Sequence, residues 1–140
     1  MSAPMDRTPS PTCRICEREA IRNSYLCERC RQLRDRVDTQ GRKVDTDARL
    51  RAMREQWDPE ADAFRCYFTR IALTEHPGDR RSVTWEHLDP RDGSRVVLAA
   101  ALINRMKTDL TEEQFRGMVK ALADHFEHPG VPFDKSAWPS

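Results

Sequence analysis

Ser82-Val-Thr-Trp-Glu-His-Leu-Asp-Pro-Arg-Asp-Gly-Ser-Arg-Val-Val-Leu-Ala-Ala-Ala-Leu-Ile-Asn-Arg-Met-Lys107 is the stretch on which the reading of this chain turns. Val83 and Trp85 alternate with polar neighbours, the period of a half-buried strand. Asp89-Pro-Arg-Asp-Gly93 has the composition of a turn. Ser94 is placed to cap a helix running from about Arg95 to Lys107, with Leu98, Leu102 and Met106 on one face. The expected order is therefore strand, loop, helix. Glu86 and His87 lie on the strand and Asn104 near the helix end.

Downstream, Thr111-Glu-Glu-Gln114 is a capping-box pattern that opens a last helix. Phe115, Met118, Val119, Leu122 and Phe126 follow at helical spacing and are expected to form a core stripe. The tail from Pro129 to Ser140 has no periodicity. Upstream, the chain changes character at Phe64: Cys66-Tyr-Phe-Thr-Arg70 precedes a polar loop through His76-Pro-Gly-Asp79.

Four of the five cysteines stand as Cys13-x-x-Cys16 and Cys27-x-x-Cys30. A CxxC turn presents two soft thiolates to one ion, and two such turns make a closed tetrahedral zinc site. With all four ligands supplied by cysteine, no position is left for water, so the zinc is expected to be structural. Two disulfides are the competing reading, disfavoured in a reducing compartment. Between Arg29 and Arg54 there are nine basic and four acidic residues, a local net of +5. Leu33 and Val37, and Leu50, Met53 and Trp57, mark narrow apolar stripes on helices broken at Gly41 and ended by Asp58-Pro59. This connector is either a solvated face with compensating ion pairs or a phosphate-contacting helix carrying Arg31, Arg34 and Arg36.

The whole chain of 140 residues is 38% hydrophobic and 34% charged, with a formal net charge of +1. The mean hydropathy is -0.80, no apolar run approaches the roughly 18 residues of a membrane span, and no secretory signal is visible in Met1 to Asp6, so a cytoplasmic location is expected. Near-neutrality conceals two unlike halves. Residues 1–56 carry 13 basic and 9 acidic groups, and residues 57–140 carry 11 and 14.

The stretch Glu86-His-Leu-Asp-Pro90, the loop through Gly93, and Arg95-Val-Val-Leu-Ala-Ala-Ala-Leu-Ile-Asn-Arg-Met-Lys107 resemble the HNH (His-Me finger) nuclease domain in its ββα form. The resemblance covers roughly Cys66 to Phe126. It implies metal-dependent cleavage of DNA or RNA, with His87 as general base and Glu86 and Asn104 as ligands of Mg²⁺ or Mn²⁺. Arg95, Arg105 and Lys107 would then help to position phosphate. The chemistry suits those residue types, since a neutral imidazole can activate water and hard oxygens suit a hard cation. Neighbouring strand residues normally face opposite ways, so Glu86 and His87 would share a site only through a local distortion. The chain also departs from the family: Ala100 and Ile103 stand where a second CxxC is usual, Thr69 stands where Cys66 would have a partner, and Arg95 replaces the central Asn. Cys66 then reads as a small buried residue.

Each of these residues also has a plainer reading. His87 beside Trp85 fits a buried, hydrogen-bonded histidine. His125 and His128 fit the C-terminal end of a helix dipole better than a metal site. The expectation is thus a small α+β chain. It comprises a disordered leader (1–12), a four-cysteine zinc knuckle (13–30), a basic helical connector (31–59), an HNH-like module (60–128) and a tail (129–140). Its function is either nucleic-acid cleavage or, with the nuclease site retired, binding and scaffolding in a nucleoprotein complex. A protein-only adaptor is a third possibility.

Overall fold

The computed structural model describes residues 11–22, 24–38 and 41–139. The expected leader therefore lies largely outside the described residues. Pro11 and Thr12 belong to the cysteine module, because Ala20 N–H donates to Pro11 O at 2.8 Å and Thr12 bridges Glu19.

Helix α1 spans Glu28–Asp35, α2 spans Thr46–Gln56, and a short hairpin pairs β1 (Trp57–Asp58) with β2 (Ala63–Phe64). Strands β3 (Val83–His87) and β4 (Val96–Ala100) form a second antiparallel hairpin, with Val83 opposite Ala100 and His87 opposite Val96. Helix α3 (Ala101–Lys107) leaves β4 directly, and α4 (Glu112–Glu127) precedes a single 3₁₀ turn at Lys135–Ala137. The chain is mixed helix and sheet, with the four cysteines gathered at one end of the core.

The expected helix from Arg95 to Lys107 is corrected. Its first half is β4, buried at every position from Val96 to Ala100. A strand buried on both faces is apolar throughout, and its composition cannot be told from that of a buried helix. Ser94 caps nothing; its N–H and hydroxyl donate to Asp92 Oδ1 within the hairpin loop. Helix α3 starts without a capping side chain because Ala101 and Leu102 donate their N–H groups to Ser82 O and Arg80 O. A cap supplied by distant backbone leaves no mark in local sequence.

The other expected elements form with local adjustments. Asp45 caps α2 through Ala48 N–H, α2 ends before Asp58-Pro59, and Gly41 sits at φ 74° between the two connector helices. Leu33 and Met53 are buried, whereas Val37 lies past the end of α1 and is exposed. The Thr111 capping box forms as read. The stripe on α4 does not become core throughout. Phe115 is buried edge-on against Phe68, but Val119, Leu122 and Phe126 are exposed. Beyond its first turns the helix packs on the tail's 3₁₀ turn.

One buried cluster links the knuckle (Ile15, Leu26), the connector (Leu33, Met53) and the hairpin (Val83, Leu98, Ala99). Gln56 at the end of α2 fixes this packing. Its amide donates to Leu98 O at 2.7 Å and Arg65 O at 2.9 Å, and its Oε1 accepts from Leu98 N–H at 2.9 Å. The side chain thus acts as a one-residue third strand along β4. Replacing it orphans strand backbone in a part-buried place. Gln56→Ala is expected to lower stability by about 2 kcal/mol in urea unfolding.

Candidate functional site

The four cysteine sulfurs of 13, 16, 27 and 30 lie within 4.8 Å of one another, and Cys16 Sγ and Cys27 Sγ are 3.5 Å apart. Tetrahedral thiolate ligation at about 2.3 Å from the ion separates sulfurs by roughly 3.8 Å, so the cluster is sized for one metal ion. All five cysteines are free thiols, and Cys13, Cys27 and Cys30 are buried. Local backbone builds the first turn: Glu17 N–H donates to Cys13 O at 2.9 Å, with Glu17 at φ 63°. The second pair is set by α1, where Cys27 is the N-cap and its sulfur accepts from Cys30 N–H. Burial tends to raise the Cys13 thiol pKa, but backbone N–H groups at Cys16, Cys27 and Ile15 outweigh it and bring the thiol down to about 7. Burial and the neighbouring sulfurs push Cys30 upward. Four soft donors of this kind suit a structural metal.

Cys66 repeats the knuckle without the second ligand. Arg70 N–H donates to Cys66 O at 2.8 Å and Arg70 sits at φ 64°, matching Glu17 after Cys13. Thr69 stands where Cys16 stands in the first turn. The buried Cys66 sulfur accepts from Ala100 N–H, and Ile103 packs against the core beside it. Cys66 is thus held by apolar packing and one weak hydrogen bond.

The second feature is a cavity of about 350 Å³ between the connector and the β3–β4 hairpin. Arg36, Asp38, Arg42 and Arg49 line the connector side. Thr84, Glu86 and His87 of β3, with Asn104 of α3, line the other. Glu86 and His87, neighbours on one strand, both face this space near the strand end. Asn104 Nδ2 donates to Thr84 Oγ1 at 3.1 Å and to Trp85 O at 3.3 Å, which leaves its carbonyl oxygen for another partner. His87 Nε2 is 3.8 Å from Asp38 Oδ2, and Arg42 Nε is 3.4 Å from the same oxygen.

The connector side is held by side chains bonded to backbone. Arg49 is buried, donates to Arg34 O and Arg36 O at 2.8 and 2.6 Å, and stacks over Trp85 at 4.8 Å. Trp85 Nε1–H donates to Leu33 O at 2.8 Å, and Arg36 donates to Val83 O at 2.9 Å. No local motif in the sequence marks Asp38, Arg42 or Arg49. The only signal there was the local excess of positive charge, which does not say which arginines turn inward.

The expected phosphate-positioning residues do not converge. Lys107 is fully buried, donating to Glu86 Oε1 at 3.0 Å, to His87 O at 2.7 Å and to Leu110 O. No phosphate reaches it, because its three donors are spent inside the protein. Arg95 and Arg105 are exposed and line no part of the cavity, Arg95 lying 3.7 Å from Glu112. Arg31 and Arg34 pair on the surface with Glu28 and Asp35. Of the six residues expected to grip nucleic acid, Arg36 alone reaches the cavity.

Burial, the largest influence, raises the Glu86 pKa against the attraction of Lys107. Removing that lysine strands a buried carboxylate. Lys107→Met is expected to cost about 3–5 kcal/mol in urea unfolding, with part of the loss recovered in Lys107→Met/Glu86→Gln, which removes the stranded charge but leaves His87 O and Leu110 O without their donor. Burial, and then Arg42, lower the His87 pKa below its ordinary 6.5; Asp38 opposes them, while Arg49 and Lys107 add to the lowering. The fold therefore holds a neutral imidazole. Its contribution to stability is intact above pH 6.5 and is lost as the pH falls through the depressed value. Between pH 7 and 5.5 the wild type is expected to lose more melting temperature than His87→Gln, and the His87 ring to titrate below 6.5 by NMR.

Among the described residues no helix is long and apolar enough to cross a membrane. Comparison of the chain with models of known protein families, with curated proteins and with solved structures finds no match in any of the three.

Proposed function

We propose that this chain is a metal-dependent nucleic-acid endonuclease or nickase of the HNH kind, braced by one structural zinc ion. The observation that carries the reading is the meeting of Glu86, His87 and Asn104, from a strand and a helix, in one cavity with arginines on its opposite wall. Zinc is favoured for the cysteine cluster because four thiolates suit a soft-tolerant tetrahedral ion and leave no open position for catalysis.

Phosphodiester hydrolysis needs a base for water and positive charge near the phosphate and leaving oxygen. His87, neutral at pH 7, takes the proton from the attacking water. The imidazolium so formed is stabilised by Asp38, 3.8 Å from Nε2. Arg36 and Arg42 each spend one N–H on a protein carbonyl, Val83 O and Pro90 O; Arg42 Nε is buried 3.4 Å from Asp38, and the remaining guanidinium N–H groups would meet the substrate phosphate. Glu86, with Oε1 committed to Lys107, offers Oε2, and Asn104 offers its carbonyl oxygen. Together they would hold Mg²⁺ or Mn²⁺, which supplies the charge stabilisation.

A second reading is favoured by the Glu86–Lys107 pair and by Arg95 in place of the expected Asn. In it the nuclease fold is retired, and the knuckle and connector bind nucleic acid within a nucleoprotein complex, with steep salt dependence.

One experiment separates the two. Wild type and His87→Ala are assayed for nicking of duplex DNA, single-stranded DNA and RNA with Mg²⁺ and Mn²⁺. Cleavage by the wild type, reduced about 100-fold or more in His87→Ala, is expected. Equal behaviour of the two removes catalysis from this site. Salt-sensitive binding without cleavage, weakened by charge reversal at Arg31, Arg34 and Arg36, supports the second reading instead.

A further inference from the structure

The cavity between the connector and the β3–β4 hairpin keeps its reactive groups deep and carries little charge at its mouth. The side chains of Glu86, His87 and Asp38 are each 6% exposed, and Arg49 beside them is buried. Arg36, Val37, Thr108 and Asp109 are the exposed lining residues and mark the mouth, one cation against one carboxylate. Positive charge does not gather on the surface around it. Arg31 and Arg34 pair with Glu28 and Asp35, Arg95 and Arg105 line no part of the cavity, and residues 57–140 carry 11 basic and 14 acidic groups.

Binding to duplex DNA draws on many phosphate contacts along a protein surface, of the order of 6–10. Here the available cations stand inside a space of about 350 Å³, at the lower end of small-ligand cavities, roughly 300–1,000 Å³. A phosphate in a stiff double helix cannot pass this rim to His87 without driving the paired strand against the connector. An unpaired strand can splay its backbone, so that one nucleotide enters while its neighbours stay outside. We propose that the cavity takes a single unpaired nucleotide of a DNA or RNA strand, its phosphate among Arg36, Arg42 and His87, and that paired nucleic acid is excluded. This rests on the reading of the cavity as a nuclease site and fixes the substrate class as single-stranded. Val37 and Pro90 give the base an apolar edge to lie against.

The test uses the full chain with Zn²⁺ present. Thymidine 3′,5′-bisphosphate and uridine 3′,5′-bisphosphate serve as one-nucleotide probes for DNA and RNA. Binding is followed by NMR at the Asn104 side-chain amide and the Trp85 indole N–H. Saturable shifts at both are expected, with affinity about 10-fold or more weaker in Arg42→Gln. Shifts with one probe alone assign the sugar and keep the inference. A stem-loop oligonucleotide then reads exclusion. Cleavage dependent on His87 is expected within the loop and about 100-fold or more slower in the stem, where a nucleotide must first be unpaired. Cleavage of the stem at the rate of the loop overturns the inference and leaves the nuclease reading standing. Probe binding with no cleavage of either part keeps the nucleotide in the cavity and removes the nuclease reading. No shift with either probe, or shifts confined to residues outside the cavity, overturn the inference.

Discussion

A two-stranded hairpin has two open edges, and a strand buried on both faces cannot leave its backbone groups to water. The β3–β4 hairpin meets this constraint with side chains and loops rather than further strands. Along β4, Leu98 is bonded by Gln56 and by Tyr67 N–H, and Ala100 N–H by the Cys66 sulfur. Along β3, the carbonyls of the alternate residues Val83, Trp85 and His87 accept from Arg36, Asn104 and Lys107. These partners come from α2, α3, the connector and the turn at Cys66 and Tyr67. The hairpin edges therefore dictate where α2, α3 and the connector lie.

The same bonds assemble the cavity. Arg36 is drawn to β3 by Val83 O, which brings Asp38 and Arg42 to face His87. Asn104 is drawn to the strand by Trp85 O and keeps its carbonyl oxygen unspent. Lys107 is the instructive case. A lysine at a helix end reads from sequence as a surface cation, but it fills three acceptors at the strand end and neutralises Glu86. The cost of burying Glu86 is thus borne by a lysine from the neighbouring helix.

The cysteine cluster anchors this arrangement from the other end. Cys27 caps α1 and Cys30 lies within it, so an ion held there fixes the helix whose Leu33 carbonyl receives Trp85 Nε1–H. The cysteine cluster and the cavity are therefore joined through one short helix. Cys66 sits in a matching turn, but its sulfur accepts from Ala100 N–H and is buried in the core.

What the amino-acid order determined by itself is what depends on spacing along the chain. The paired CxxC turns, the strand through Trp85, the Thr111 capping box and the Asp58-Pro59 break were legible because each arises between residues a few positions apart. The tertiary structure alone decided that Val96–Ala100 is a strand, that α3 is capped by the backbone of residues 80–82, and that Lys107 is buried. It also decided which connector arginines turn toward His87 and that three of the five residues of the α4 stripe stay exposed. Those outcomes turn on partners about 20 to 50 positions away, such as Gln56 for Leu98 and Arg36 for Val83. Burial and edge pairing are properties of what packs opposite a residue, and a local pattern carries no record of that.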